Sequence, residues 1–259
     1  MSRFDQHSAF GFLIYYPIYI LWTGSLIMDG IAVFLIVVSS IIPDFDIFIE
    51  GHKKDGLQNL DESYQHHYQS IMHYPLLYIP FFVPFILSVI FQFYPYYFLI
   101  PCLGIYLAHF LFDTIACGDG IMWTKVPWSD NYAPFINFFS ETTDGYHGLY
   151  WVARYQKTLV NKIGNAAVFI SVVLIQLFQI LYSFNRFPYM SYNIFYISSI
   201  IYLLLVLFLS KDELSREYLK EPPEGRYNDY RIDPEYINGL DEKMKEKHLK
   251  NYGPLLEES

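Results

Sequence analysis

The stretch YYFLIPCLGIYLAHFLFDTIAC, Tyr96 to Cys117, decides how this chain is read. It is as long as the roughly 20 mainly apolar residues that one helix needs to cross a bilayer core. Within it only His109 and Asp113 charge readily near neutral pH. Residues four apart share one helical face, so an imidazole and a carboxylate stand side by side in an otherwise apolar segment. Such groups are costly at membrane depth unless they pair, hold an ion or face a polar cavity. The stretch therefore predicts both a membrane helix and a functional site on it.

Similar apolar blocks flank it. The spans expected are 8–24, 27–43, 74–93, 96–117, 165–183 and 192–210, so the predicted fold is all-α: a polytopic membrane helical bundle of about six spans. Composition agrees, with 53% hydrophobic, 20% aromatic and 17% charged residues, against about a quarter charged in soluble domains. Pro17, Pro75, Pro80, Pro84 and Pro101 are expected as kinks, since neighbouring helices can satisfy the carbonyls they free. Two parts follow: a membrane-embedded helical domain over 1–210 and a charged cytosolic tail over 211–259. The tail mixes Lys and Glu with Pro222, Pro223, Pro234 and Pro254 and has too few apolar residues for a core of its own.

Basic residues set the orientation. With the amino terminus inside, Arg3, Lys53, Lys54, Lys125, Arg154, Lys157, Lys162 and every Lys and Arg of the tail lie inside, and only Arg186 lies outside. This is a positive-inside pattern, and it predicts a multi-pass protein of the cell inner membrane with both termini cytoplasmic. The net charge of −9 argues against a nucleic-acid surface, so the expected partners are the bilayer, a lipid or phosphoester substrate, and a cytosolic protein reached through the tail. Cys102 and Cys117 lie fifteen residues apart on one helix, too far for a disulfide.

Four polar groups sit at the inner ends of the expected spans. His7 precedes the first, and Pro43-Asp44-Phe45-Asp46 follows the second, with two carboxylates that can reach one cation from irregular backbone. His66, His67 and His73 precede the third; imidazole is the commonest side-chain ligand for transition metals. His109 and Asp113 end the fourth. An orientation derived from Lys and Arg alone places all four on one side, with enough nitrogen and oxygen donors for one zinc-like ion and for two or three. Glu141, Asp144 and His147 recur in the loop 118–164, where polar residues need no special role.

These pieces, in this order, resemble the YdjM-like family of inner-membrane metal-dependent hydrolases over roughly residues 5–128. The resemblance rests on Gln6-His7-Ser8, Pro43 to Asp46, His67 to His73, and His109 to Pro127. Tyr68 stands where the family carries an Arg, and Met72 and Tyr74 replace a Thr and a Ser. The resemblance implies a distant similarity to zinc-dependent phospholipase C and related nucleases.

The reading that follows is a membrane-bound metal-dependent hydrolase acting on a phosphoester or lipid-like ester at the cytoplasmic face. His7, Asp44, Asp46, His67, His73, His109 and Asp113 are the expected ligands of a divalent metal, zinc first, with Asp46 or Asp113 as general base. The alternative is a non-enzymatic membrane scaffold or metal-binding docking protein.

Overall fold

In the computed structural model the described residues are 3–53, 67, 70–116, 120–129, 133, 136, 159–185, 190–213, 234–239 and isolated positions within 242–249. Helix α1 (Phe4–Thr23) opens with Asp5 in its first turn, where a carboxylate offsets the positive end of the helix dipole. It stops at Gly24, whose φ of 69° is left-handed and whose N–H donates to the Ile20 carbonyl. Helix α2 (Gly30–Ser39) is capped by Asp29, whose side chain accepts from the Ala32 N–H at 2.9 Å. At its far end the Ser39 and Ser40 hydroxyls both donate back to the Ile36 carbonyl. The chain then bends by 60° into the segment Pro43–Lys53, made of a 3-10 turn (Pro43–Phe45) and α3 (Asp46–Lys53).

Further 3-10 segments, Ile71–His73 and Pro75–Phe81, lead into α4 (Phe82–Ile90). Helix α5 (Pro95–Leu103) continues through a π-helical segment (Gly104–Leu111) into α6 (Phe112–Ala116). Two long apolar helices follow, α7 (Leu159–Asn185) and α8 (Met190–Glu213), then the short α9 (Pro234–Gly239). No strand occurs among the described residues, apart from an isolated bridge between Ile121 and Ile136.

Helix α1 is the central element, in contact with α2, α5, the π-helical segment, α7 and α8. Phe12 and Tyr15 of α1 are fully buried with Val33, Ile36, Ile100, Val168, Ile175 and Tyr196. The surrounding helices turn large apolar side chains outward: Phe169 and Phe208 are more than 60% exposed, as are Ile90 and Phe91 at the end of α4. Large apolar side chains exposed on several helices fit a surface that meets lipid.

Two helices are long and apolar enough to cross a membrane, Pro95–Ile115 and Leu159–Ser183; the bent pair Gly30–Ser39 with Pro43–Lys53 makes up to three. Pro75–Ile90 and Asn193–Leu209 are shorter apolar helices. The physical reasons are local. Pro75, Pro80 and Pro84 remove the N–H donors a continuous helix over 74–93 would need, so the chain takes a 3-10 path first. Helix α1 starts at Phe4, earlier than expected, and its Asp5-Gln6-His7 turn and three tyrosines dilute its apolar character.

Candidate metal centre

His109 lies on the π-helical segment, one turn before Asp113 at the start of α6. A π-helical turn is a widened one and recurs at functional sites. Its Nδ1 meets the Ser40 carbonyl at 3.0 Å. His7, in the first turn of α1, meets the Ala108 carbonyl through Nδ1 at 2.8 Å. His67 meets the Gly120 carbonyl through Nδ1 at 3.1 Å. A carbonyl oxygen only accepts, so in each ring Nδ1 is the donor and the lone pair of the neutral imidazole is left on Nε2.

All three Nε2 atoms converge on one carboxylate. His7 Nε2 is 3.3 Å from Asp113 Oδ1, and His109 and His67 Nε2 are 3.4 and 3.5 Å from Asp113 Oδ2. These separations exceed the roughly 2.7–2.9 Å of charge-assisted hydrogen bonds. They match the spacing of about 3.3–3.4 Å between two ligands that each sit about 2.0–2.1 Å from one tetrahedral ion. His109 Nε2 is fully buried and has no hydrogen-bond partner among the described residues, which is costly for a polar atom in a protein interior. Three nitrogen lone pairs around an anion, one of them otherwise unsatisfied, form a donor set that fits a divalent cation.

A second group adjoins the first. The His73 ring lies between Asp44 and Asp46, with Nε2 at 3.3 Å from Asp44 Oδ1 and Nδ1 at 3.4 Å from Asp46 Oδ2. Burial pulls its pKa down, but the two carboxylates outweigh that and hold it above the ordinary histidine value. Asp44 Oδ2 is also 3.7 Å from His109 Nδ1. The rings of His7 and His109 lie 4.3 Å apart, and those of His67 and His73 4.8 Å.

Among the described residues, three sets have ligand atoms within 4.8 Å of one another: His7, His109 and Asp113; Asp44, His73 and His109; His67, His73 and Asp113. They overlap through His73, His109 and Asp113. Asp46 falls in none of them; besides facing His73, it accepts from the Ile47 N–H at 2.8 Å. All seven expected ligands are 3% exposed or less. His66, Cys117, Asp119, Asp130, Glu141, Asp144 and His147 lie outside the described residues.

Several supports were not apparent from side-chain chemistry. Gly120 has a φ of 75°, a conformation that favours glycine, and its carbonyl is the one that meets His67. The Trp123 indole N–H donates to Thr114 Oγ1 at 2.8 Å, and that hydroxyl donates to the Phe110 carbonyl, so the 120–129 segment is tied to α6. Gly11 and Gly104 let α1 and the π-helical segment close on Ser40 and Ser39; a Cβ on either glycine would overlap a serine hydroxyl. At the start of α1, Gln6 donates to Asn161 Oδ1 at 2.8 Å and Asn165 Oδ1 at 3.2 Å on α7, which anchors the turn that carries His7. The glycine within the apolar span and the Ser-Ser pair before Pro43 were the available sequence signals.

With this geometry in place, comparison with known protein families finds that the model of the YdjM inner membrane protein family aligns with residues 1–187. The chain belongs to the YdjM inner membrane protein family. The aligned region contains every residue of the His/Asp cluster and runs just past the end of α7. No curated protein and no solved structure matches the chain. The YdjM membership makes membrane association part of the description of this protein, and the buried cluster is a possible metal site within it.

Proposed function

We propose that this YdjM-family protein is a metal-dependent hydrolase that cleaves a phosphoester or lipid-like ester at the cytoplasmic membrane face. The observation that carries the reading is the convergence of three Nε2 atoms on Asp113, each with its Nδ1 tied to a backbone carbonyl. That is how protein sites orient metal-ligating histidines, and a hydrogen-bonded core pair needs only one such ring.

In this reading His7, His67, His73, His109, Asp44 and Asp113 hold the ion or ions, and their nitrogen and oxygen donors favour zinc. A bound divalent ion would supply acidified water and stabilise developing negative charge. Asp113 is engaged by three imidazoles, so Asp46, at the edge of the cluster, is the better placed of the two expected bases. From there it orients His73 and accepts a proton. The buried Ser40, Ala108 and Gly120 contacts fix the rings before substrate arrives, which favours catalysis by preorganisation. The topology proposed with it has both termini cytoplasmic, six apolar segments over 1–210 with the shorter ones completing the bundle, and a separate tail over 211–259 that serves as a protein-docking appendage.

The test is hydrolysis by the purified full-length protein of a water-soluble phosphodiester and of phospholipid vesicles, with Asp113→Ala as control. Metal-dependent turnover that Asp113→Ala abolishes supports the proposal. A metal-loaded, folded protein that turns over neither substrate class would favour the scaffold alternative.

A further inference from the structure

Beside the cluster runs an apolar groove that the ligand residues do not use. Phe10 and Ile14 of α1, Leu107 and Leu111 of the π-helical segment that carries His109, Phe112 of α6 and Ile163 of α7 are among the walls of this cavity of about 300 Å³. That is the lower end of the range in which proteins hold small organic ligands. Among the described residues no polar side chain lines it, so the groove suits an apolar group and not a water-soluble substrate.

Its inner end touches the site. Phe112 directly precedes Asp113, its ring meets His7 edge-on with centroids 5.5 Å apart, and it lies 4.4 Å from the ring of Phe10. Its other end opens on the apolar exterior, where Leu107 is 38% and Ile163 50% exposed. On α7 the exposed residues Leu159, Ile163, Ile170, Val173 and Leu177 recur at helical spacing, so the mouth is continuous with the surface that faces lipid. An apolar slot that joins the bilayer to a cluster of imidazoles and carboxylates has the two-part chemistry of an amphiphile.

We propose that the groove seats one hydrocarbon chain of a bilayer lipid, which enters sideways between Leu107 and Ile163 and brings its ester linkage to His7 and Asp113. This rests on the hydrolase reading for the role of the headgroup end, whereas the seat for the chain stands on the groove itself. It assigns the substrate to lipids and makes Phe112 the residue that separates chain from headgroup.

The experiment uses the full-length protein in nanodiscs of phosphatidylethanolamine and phosphatidylglycerol, doped with phosphatidylglycerol carrying a photoactivatable diazirine at mid-chain. Labelled residues are mapped by mass spectrometry, and metal content is measured on the same sample. Labelling of Phe10 and Ile14 is expected, falling about tenfold in Leu107→Trp, where the added ring fills the mouth. Ile163→Trp should do the same from the opposite wall, and Ile170→Trp, on the exterior stripe, should leave the labelling unchanged. Labelling confined to exterior residues, or equal labelling of Phe10 and Ile14 in both mouth variants, would overturn the proposal. Groove labelling in a protein that binds no metal would remove the hydrolase reading and leave the seat; metal without groove labelling would do the reverse.

Discussion

His109 Nε2 faces Asp113 Oδ2 across one helical turn at 3.4 Å, and the Ser40 carbonyl holds the same ring from behind at 3.0 Å. The relationship joins two elements. Asp113 belongs to the helix that follows the π-helical segment, whereas Ser40 sits where α2 bends toward Asp44. Any change that shifts α2 against that segment therefore turns the imidazole.

Asp113→Asn keeps the side-chain volume and removes the anion that faces three imidazoles. Zinc affinity, measured by competition with a chelator, should fall by more than about 100-fold, beyond the 10–100-fold typical of outer-shell partners. Unchanged affinity would show that Asp113 serves only as a hydrogen-bond acceptor.

Two glycines with left-handed backbone separate strain from site geometry. Gly24→Ala and Gly120→Ala both place a Cβ at positive φ, at a cost of about 1–2 kcal/mol. Both should lower thermal stability in detergent. Only Gly120→Ala, which disturbs the carbonyl that meets His67, should also weaken zinc binding, by about 10–100-fold. Equal zinc affinity in the two variants would contradict this role for Gly120.

The contact between Gly104 and Ser39 predicts a coupled pair. Gly104→Ala places a Cβ against Ser39 Oγ and 3.0 Å from the Ser40 backbone nitrogen, and overpacking of this kind costs about 1–3 kcal/mol. Adding Ser39→Ala removes the clashing hydroxyl and should recover part of the loss in a double-mutant cycle. Strict additivity would mean that the helices do not meet there.

How much was legible in the sequence differs between the site and its frame. His109 and Asp113 announced themselves because ionisable groups within a mainly apolar stretch of 22 residues are costly, and the Lys and Arg pattern predicted Asp44 and His73 on the same side. The frame was harder. Hydropathy averages over a window and does not see that Pro75, Pro80 and Pro84 divide one apolar block into a 3-10 stretch and a short helix. The bend after Ser39 escaped it for the same reason. Nor does a sequence reveal that a ring is held by a backbone carbonyl: Ala108, Ser40 and Gly120 meet the imidazoles through main-chain oxygens that every residue carries, and only the distance singles them out.

Asp44 and Asp46 are separated only by Phe45 but differ in placement, since Asp44 joins a three-ligand set and Asp46 faces His73 from outside all three. Asp44→Asn should therefore lower zinc affinity more than about 100-fold and Asp46→Asn by about 10–100-fold. Both are read by the same chelator competition, and a larger loss from Asp46→Asn would reverse the assignment.

In the proposed centre, His7 of α1, His67, His73 and His109 of the π-helical segment share a cation with Asp113. X-ray absorption at the zinc edge, on full-length protein titrated with zinc, tests it most directly. At least one bound ion per chain is expected, with nitrogen and oxygen neighbours at about 2.0–2.1 Å and an imidazole scattering signature that weakens in His109→Ala. A folded protein that takes up no zinc, or whose zinc environment is the same in His109→Ala, would contradict it.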